Sequence, residues 1–303
     1  MVLNIEALIQ NKSVLQELHG SYFGNKSIGI DVLRLDEIHP IASGNKIFKL
    51  QIPLQKALEK NCTTIITTGG FYSNHLVATA YIANALGLRS VGVIKAHDHA
   101  LLTPTLNDCI AFGMELLFMK PSDFNNIEKL NNCIAGYSNS FWIDMGGYSI
   151  EGVEGCKQIL KQVEREKYTH VITAVGTGTT MAGLCLSALR HQKILGISSM
   201  KKNVSLQLAV EKLLYNQPHA PFELIHDFHF GGFAKHSPVL IDFMNHLYEN
   251  HKVPTDIVYT AKMFYGVYNL MEQNYFPNYS KLLIIHTGGL QGNRSLLSKS
   301  LLF

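Results

Sequence analysis

Apolar, β-branched runs recur along this chain at 63–68, 90–94, 115–119, 141–145, 171–175, 194–198 and 282–286, with helix-patterned segments between them. Alternation of this kind predicts an α/β chain whose parallel sheets are covered by helices on both faces. The stretch 74–86 is one such helix, with Leu76, Ala80, Ile82, Ala83 and Leu86 near helical spacing, and 204–215 is another. No internal repeat or low-complexity linker breaks the pattern.

Within that frame, Ser43-Gly44-Asn45-Lys46-Ile47-Phe48-Lys49-Leu50 sets a lysine between a small-residue turn and a helix start. Lysine forms Schiff bases with carbonyl compounds, most readily where burial and neighbours keep its amine neutral. Lys46 is therefore a candidate covalent anchor for a carbonyl cofactor. Alone, the segment reads more simply as two surface charges, Lys46 and Lys49, three apart on a helix.

Other segments change that balance. Val171-Ile172-Thr173-Ala174-Val175-Gly176-Thr177-Gly178-Thr179-Thr180 runs from an apolar strand into Gly and Thr, and then into a helix-like stretch through Arg190. A strand, a glycine turn and a helix N-terminus point several N–H groups at one place, which suits a phosphate. Nucleotide triphosphate is disfavoured, because Gly183 is followed by Leu184-Cys185 where a P-loop needs Lys and then Ser or Thr. A dinucleotide is disfavoured too: Met181 fills the third-glycine position, and the next strand ends in Ser198-Ser199-Met200 with no ribose-reading acid. Tyr259-Thr260 and Ile285-His286-Thr287-Gly288-Gly289 add a second candidate ligand-facing edge, with 281–285 reading as a buried strand.

From about residue 30 to the C-terminus, the order and spacing of six groups match one family. They are Arg34-Leu35-Asp36, Gly44-Asn45-Lys46 with Lys49, Gly69-Gly70 with Ser73-Asn74, Gly176 to Thr180, Tyr259-Thr260, and Thr287-Gly288-Gly289. The chain resembles the 1-aminocyclopropane-1-carboxylate deaminase and D-cysteine desulfhydrase family of pyridoxal-phosphate enzymes, with the fold of tryptophan synthase β (fold type II). The resemblance implies two sheet domains with the cofactor in the cleft between them. The small domain would be inserted at 50–144, and the large one formed by 1–49 and 145–303.

It also implies roles. Lys46 would anchor pyridoxal 5'-phosphate and carry the proton at the substrate α-carbon, with Lys49 a supporting charge. Gly176, Thr177, Gly178, Thr179 and Thr180 would hold the phosphate, and Asn74 the ring hydroxyl. Ser73 would hold the substrate carboxylate or assist proton movement, and it also reads as a helix N-cap. Tyr259 would stand over the substrate as donor, base or nucleophile; as a tyrosine at a strand end it otherwise reads as packing. Ser73, Asn74, His75, Phe233 and Tyr259 are the expected substrate contacts.

Three positions bear on the branch of the family. The deaminases carry Glu after the tyrosine, an acid that keeps the pyridine nitrogen protonated; here Thr260, with Thr287, offers neutral hydroxyls, as in the desulfhydrases. Phe233 stands where the deaminases use a second tyrosine, and His75 where the family pattern has glutamine. The resemblance therefore implies a carbon–sulfur lyase acting on D-cysteine by α,β-elimination. The alternatives are a 1-aminocyclopropane-1-carboxylate deaminase, elimination on other D-amino acids, and a pyridoxal-phosphate-binding protein without turnover. From another class, a nucleotide-binding interaction module would require nucleotide affinity at 176–180.

Composition fits a metabolic enzyme: 303 residues, 47% hydrophobic and 16% charged, net charge +3. Basic residues are scattered, so no nucleic-acid stripe is expected. Glu6 interrupts the N-terminal stretch and no apolar run reaches membrane-span length, so neither a secretory signal nor a membrane is expected, and the chain is read as cytoplasmic. Five scattered cysteines read as reduced thiols without zinc spacing. Among fourteen histidines, His97-Asp98-His99 and His226-Asp227-Phe228-His229 could offer metal ligands, but surface histidine is the simpler account and no metal is expected. A homodimer is what the resemblance implies.

Overall fold

A computed structural model describes residues 13–19, 27–96, 102–124, 126–201 and 203–303. The histidines at 97 and 99 and the lysine at 202 lie outside the described residues. Ten strands and nine α-helices occur among the described residues. The strands are β1 (Val14–Glu17), β2 (Gly29–Arg34), β3 (Thr64–Gly69), β4 (Arg89–Lys95), β5 (Met114–Met119), β6 (Ser140–Ile143), β7 (His170–Val175), β8 (Lys193–Ser198), β9 (Phe222–Ile225) and β10 (Lys281–His286). The helices are α1 (Asn45–Glu59), α2 (Asn74–Ala85), α3 (Pro104–Ala111), α4 (Ile127–Ile134), α5 (Ile150–Cys156), α6 (Thr179–Ser187), α7 (Ser205–Leu214), α8 (Pro238–His251) and α9 (Thr260–Glu272).

The strands form two sheets, one of order β1-β2-β10-β7-β8-β9 and one of order β5-β4-β3-β6. Pairing is parallel throughout the described strands except at the edge, where β1 runs antiparallel to β2. All the strand runs read from periodicity are present. The run at 141–145 is shorter than expected, ending at Ile143, because Met145–Gly147 is a 3-10 turn with Gly146 and Gly147 at positive φ. Three strands escaped the hydrophobic pattern. β2 carries Asp31 and Arg34, which look like loop residues until their partners are seen: Tyr168 and Lys281 for Asp31, Asp36 and Gln16 for Arg34. β1 and β9 are four-residue edge strands whose side chains are mostly only partly buried or exposed, so burial does not force an apolar run.

Helix α1 joins the two layers. Its Ile47, Phe48, Leu50, Leu54 and Ala57 belong to one core that also takes Leu33 and Ile285 from the larger sheet and Ile65 and Ile143 from the smaller. On the other face of the larger sheet, Met263, Phe264, Val267 and Leu270 of α9 pack over Ile172, Leu195 and Ile284. In the smaller sheet, α2 and α3 cover one face and α4 the other. Each large aliphatic side chain so buried contributes about 1.5 to 3 kcal/mol. The shared core therefore fixes how the C-terminal ends of the two sheets stand to each other.

Candidate active site

Open parallel sheets present ligand-facing residues beyond the C-terminal ends of their strands. A cavity of about 410 Å³ lies at those ends, lined by Thr68 at the end of β3, Asp144 and Met145 after β6, Gly176 and Thr177 after β7, and Asn203 after β8.

The Lys46 segment reaches this region from the larger sheet. Gly44 has φ +73°, and a Cβ there would overlap the carbonyl oxygen of Thr287; glycine alone lets the start of α1 lie against the end of β10. The Asn45 N–H donates to Thr287 O at 3.0 Å. Lys46 Nζ donates to Asn45 Oδ1 at 2.7 Å, and Asn45 Nδ2 donates to Thr180 Oγ1 at 2.8 Å. A short relay thus ties the amine to the 176–180 loop. Burial, aided by the nearby Lys49 charge, lowers the Lys46 pKa to about 7, while Cys156 and Asp256 oppose the shift. Near neutral pH a substantial fraction of the amine is therefore neutral and available as a nucleophile. Lys49 is buried, donates to Gly146 O at 3.2 Å, and has its own pKa lowered by burial.

At the end of β7, Gly178 adopts φ +91° as N-cap of α6, and the Thr177 and Thr179 hydroxyls lie 3.2 Å apart. The first amides of a helix have no acceptor within it, so this loop offers an anion both N–H groups and a positive dipole end. Tyr259 stands over Gly176: a Cβ on that glycine would come within 3.0 Å of the ring edge.

Tyr259 is the N-cap residue of α9, not the strand-end tyrosine read from the sequence. The cause is Asp256, fully buried, whose carboxylate accepts from the amides of Val258, Tyr259 and Thr260 at 3.0, 3.2 and 2.9 Å and turns the chain into a helix. Burial, and next the Asp256 charge, raise the Tyr259 pKa, so it remains a phenol. The Thr260 hydroxyl accepts from Asp256 N–H at 2.8 Å and donates to Asp256 Oδ1 at 3.0 Å. It is committed within its own turn. Thr287 is buried and its hydroxyl has no hydrogen bond among the described residues. Phe233 meets Tyr259 edge-on, with ring centroids 6.0 Å apart, and is 55% exposed.

The smaller sheet supplies the opposite side. Ser73 caps α2, its Oγ accepting from Leu76 N–H at 3.2 Å. Asn74 Oδ1 accepts from Gln291 N–H at 3.1 Å, and Gly289 leaves room for that amide, since a Cβ would overlap it. His75 turns inward. Thr67 donates its one proton to Ile143 O at 2.6 Å, so the contact of 2.8 Å from His75 Nε2 to Thr67 Oγ1 must be donated by the histidine. Nδ1 is then a bare acceptor, buried without a partner. Burial, with the Lys46 and Lys49 charges, pushes the His75 pKa down to about 3.

Sequence reasoning missed Asp256, Asn45 as the link between Lys46 and Thr180, buried Lys262, and Cys156, whose thiol lies 4.0 Å from Thr180 Oγ1. Asp256 had a signal, an acid just before a helix start. The others had none, because a lone lysine or cysteine reads as surface charge or filler. Among the described residues, no group of three or more His, Cys, Asp or Glu could hold a metal ion. His229 Nδ1 accepts from Gly231 N–H.

A lysine amine of lowered pKa beside a glycine and threonine anion loop, with an uncommitted hydroxyl at Thr287, fits a phosphorylated aldehyde. Two largely parallel sheets joined through α1, with such an arrangement at their strand ends, are what a fold type II pyridoxal-phosphate enzyme presents. A family model described as pyridoxal-phosphate dependent enzyme matches residues 23–288, and the chain belongs to that family. It is 30% identical over 284 residues to a Thermotoga maritima protein provisionally named a 1-aminocyclopropane-1-carboxylate deaminase, covering 87% of this chain and 89% of that one. It is 26% identical over 286 residues to a D-cysteine desulfhydrase of Klebsiella pneumoniae, covering 85% and 86%. Among solved structures, an ACC deaminase homologue superposes with a TM-score of 0.78 at 25% identity, covering 97% of each chain. A hydrogen sulfide-producing enzyme from Fusobacterium nucleatum, at 14% identity and TM-score 0.70, shares the fold, covering 97% of this chain and 98% of that one.

Proposed function

We propose that the protein is a lyase that converts D-cysteine and water to pyruvate, sulfide and ammonia by α,β-elimination. The observation that carries this reading is the Tyr259 neighbourhood. Phe233 puts an aromatic without a hydroxyl against Tyr259, and Thr260 puts a hydroxyl, itself bound to Asp256, where the deaminases carry an acid. A good β leaving group needs little stored charge at the α-carbon, whereas opening a cyclopropane asks more of the site. When bound, pyridoxal phosphate supplies the electron sink for that carbon.

The chain's own residues do the rest. The 176–180 loop would hold the phosphate with Lys49 as a supporting charge, Thr287 Oγ1 would offer the ring nitrogen a neutral hydrogen bond, and Asn74 would hold the ring hydroxyl. Lys46 is the covalent anchor and, through Nζ, takes the α-proton; a pKa near 7 suits that exchange at neutral pH. Ser73 Oγ keeps a proton to donate to the substrate carboxylate while accepting from Leu76 N–H. Tyr259 Oη, held protonated, would donate its proton to the departing sulfur. His75, Asn74 and Phe233 bound the substrate space. Residues 50–144 form the small domain that closes on substrate, and 1–49 with 145–303 the large one.

The relative from Thermotoga maritima keeps 1-aminocyclopropane-1-carboxylate deamination as the second reading. Release of 2-oxo acid should be measured side by side from D-cysteine, 1-aminocyclopropane-1-carboxylate and L-cysteine. Turnover of D-cysteine alone is the expected result. Turnover of the cyclopropane would defeat the reasoning from Thr260 and Phe233, and silence on all three would defeat the proposal.

A further inference from the structure

Lys262 is completely buried on α9, and the reaction as described gives it no work. Its Nζ donates to the carbonyl oxygens of His229 at 2.9 Å and Gly232 at 2.7 Å. A buried ammonium is unfavourable unless it is hydrogen-bonded and faces opposite charge. Here the two carbonyls supply the bonds and Asp256 supplies the charge, opposing the lowering by burial that leaves the amine near 8.

The loop it grips is otherwise held by Phe230, which packs edge-on against Tyr265 with ring centroids 4.9 Å apart, and by bonds within the loop, Gly231 N–H to His229 Nδ1 among them. Phe230, Gly231, Gly232 and Ala234 all have positive φ, so the backbone is wound into a conformation that few residues adopt. Internal bonds exist from Gly232 N–H to His229 O and from Lys235 N–H to Gly232 O. The Lys262 amine binds the same two carbonyls from α9, and thereby joins the loop to the helix that begins at Tyr259. Phe233 sits at the tip, with one edge on Tyr259 and the rest of its ring open.

We propose that Lys262 is a positioning residue that holds the 229–234 loop so that Phe233 and Tyr259 form one wall of the substrate space, limiting the size of the substrate's β substituent. This rests on the elimination reading above for the substrate, but not for the latch itself. A methionine at 262 keeps the buried stem and removes both hydrogen bonds, whereas Phe233→Ala removes the wall and keeps the latch.

The latch is tested on the pyridoxal-phosphate-loaded protein without substrate, by amide hydrogen exchange across 230–234 and by tryptic cleavage after exposed Lys235. In Lys262→Met both should rise by at least about tenfold, since two hydrogen bonds are lost and one alone is worth about that much, while Phe233→Ala leaves exchange at the wild-type rate. The wall is tested by comparing D-cysteine with an S-alkylated D-cysteine. Both variants should raise KM for D-cysteine more than they lower kcat, and should gain on the larger substrate relative to the smaller. Unchanged exchange and cleavage in Lys262→Met overturn the latch. Unchanged size discrimination in Phe233→Ala overturns the wall, even if Lys262→Met fails to fold. A wild type inactive on D-cysteine but with Lys262-dependent exchange separates failure of the substrate reading from failure of the latch.

Discussion

Lys46 and His75 show how one burial effect serves two residues differently. Burial lowers both pKa values, giving Lys46 a reactive amine and His75 a ring that is neutral at neutral pH. Below pH 7 the Lys46 amine is protonated, so its rate of condensation with pyridoxal phosphate, followed by absorbance, should fall about tenfold for each pH unit. Lys46→Ala should lower turnover by at least about 10⁴-fold, as loss of a nucleophile does, in the 2-oxo-acid assay. For His75 the folded value lies near 3 and the ordinary value is 6.5. Between them the unfolded chain binds a proton that the folded chain refuses, so this residue removes stability as pH falls through 6.5 toward 3, at up to about 1.4 kcal/mol per unit. His75→Gln should therefore flatten the pH dependence of the melting temperature across that window; an unchanged slope would show that the ring titrates normally. The sequence exposed Lys46 through its turn-and-helix setting. It could not reveal the tautomer of His75, which follows from the single proton of Thr67 and a carbonyl from another strand.

At the scale of elements, helix starts bring the site together. α1 meets β10 through Gly44, α6 opens the anion loop, α2 presents Ser73 and Asn74, and α9 presents Tyr259. The first three were legible because small residues and caps announce them locally. The start of α9 was read as a strand end, because β-branched Ile257 and Val258 precede the tyrosine while Asp256 acts from further back. Asp256→Ala would leave the amides of Val258, Tyr259 and Thr260 and the Thr260 hydroxyl without their acceptor. It should cost about 2 to 3 kcal/mol, seen as a melting point lower by several degrees, with weaker retention of pyridoxal phosphate. Edge strands β1 and β9 were illegible for the opposite reason: with one neighbour and partial exposure, nothing forces their side chains to be apolar.

Across the whole molecule, the site draws on both sheets, and its halves touch where Asn74 meets Gly289 and Gln291. A ligand that binds only this assembled arrangement must stabilise it. Pyridoxal phosphate at about a hundred times its Kd should add about 2.7 kcal/mol, raising the melting temperature, whereas pyridoxal without the phosphate should add clearly less; equal shifts would remove the 176–180 loop from the site. No helix among the described residues is long and apolar enough to cross a membrane. The sequence by itself determined the alternating strands and helices, the order of the motifs and the chemistry available at Lys46, Ser73 and Tyr259, because periodicity and turn residues act over a few neighbours. Only the tertiary structure decided that the Thr260 hydroxyl is committed while that of Thr287 is not, that His75 is neutral at neutral pH, and that Asp256 and Lys262 are buried and hydrogen-bonded. Those properties depend on burial and on hydrogen bonds between residues distant in the chain or hidden within a turn, and no local pattern encodes them.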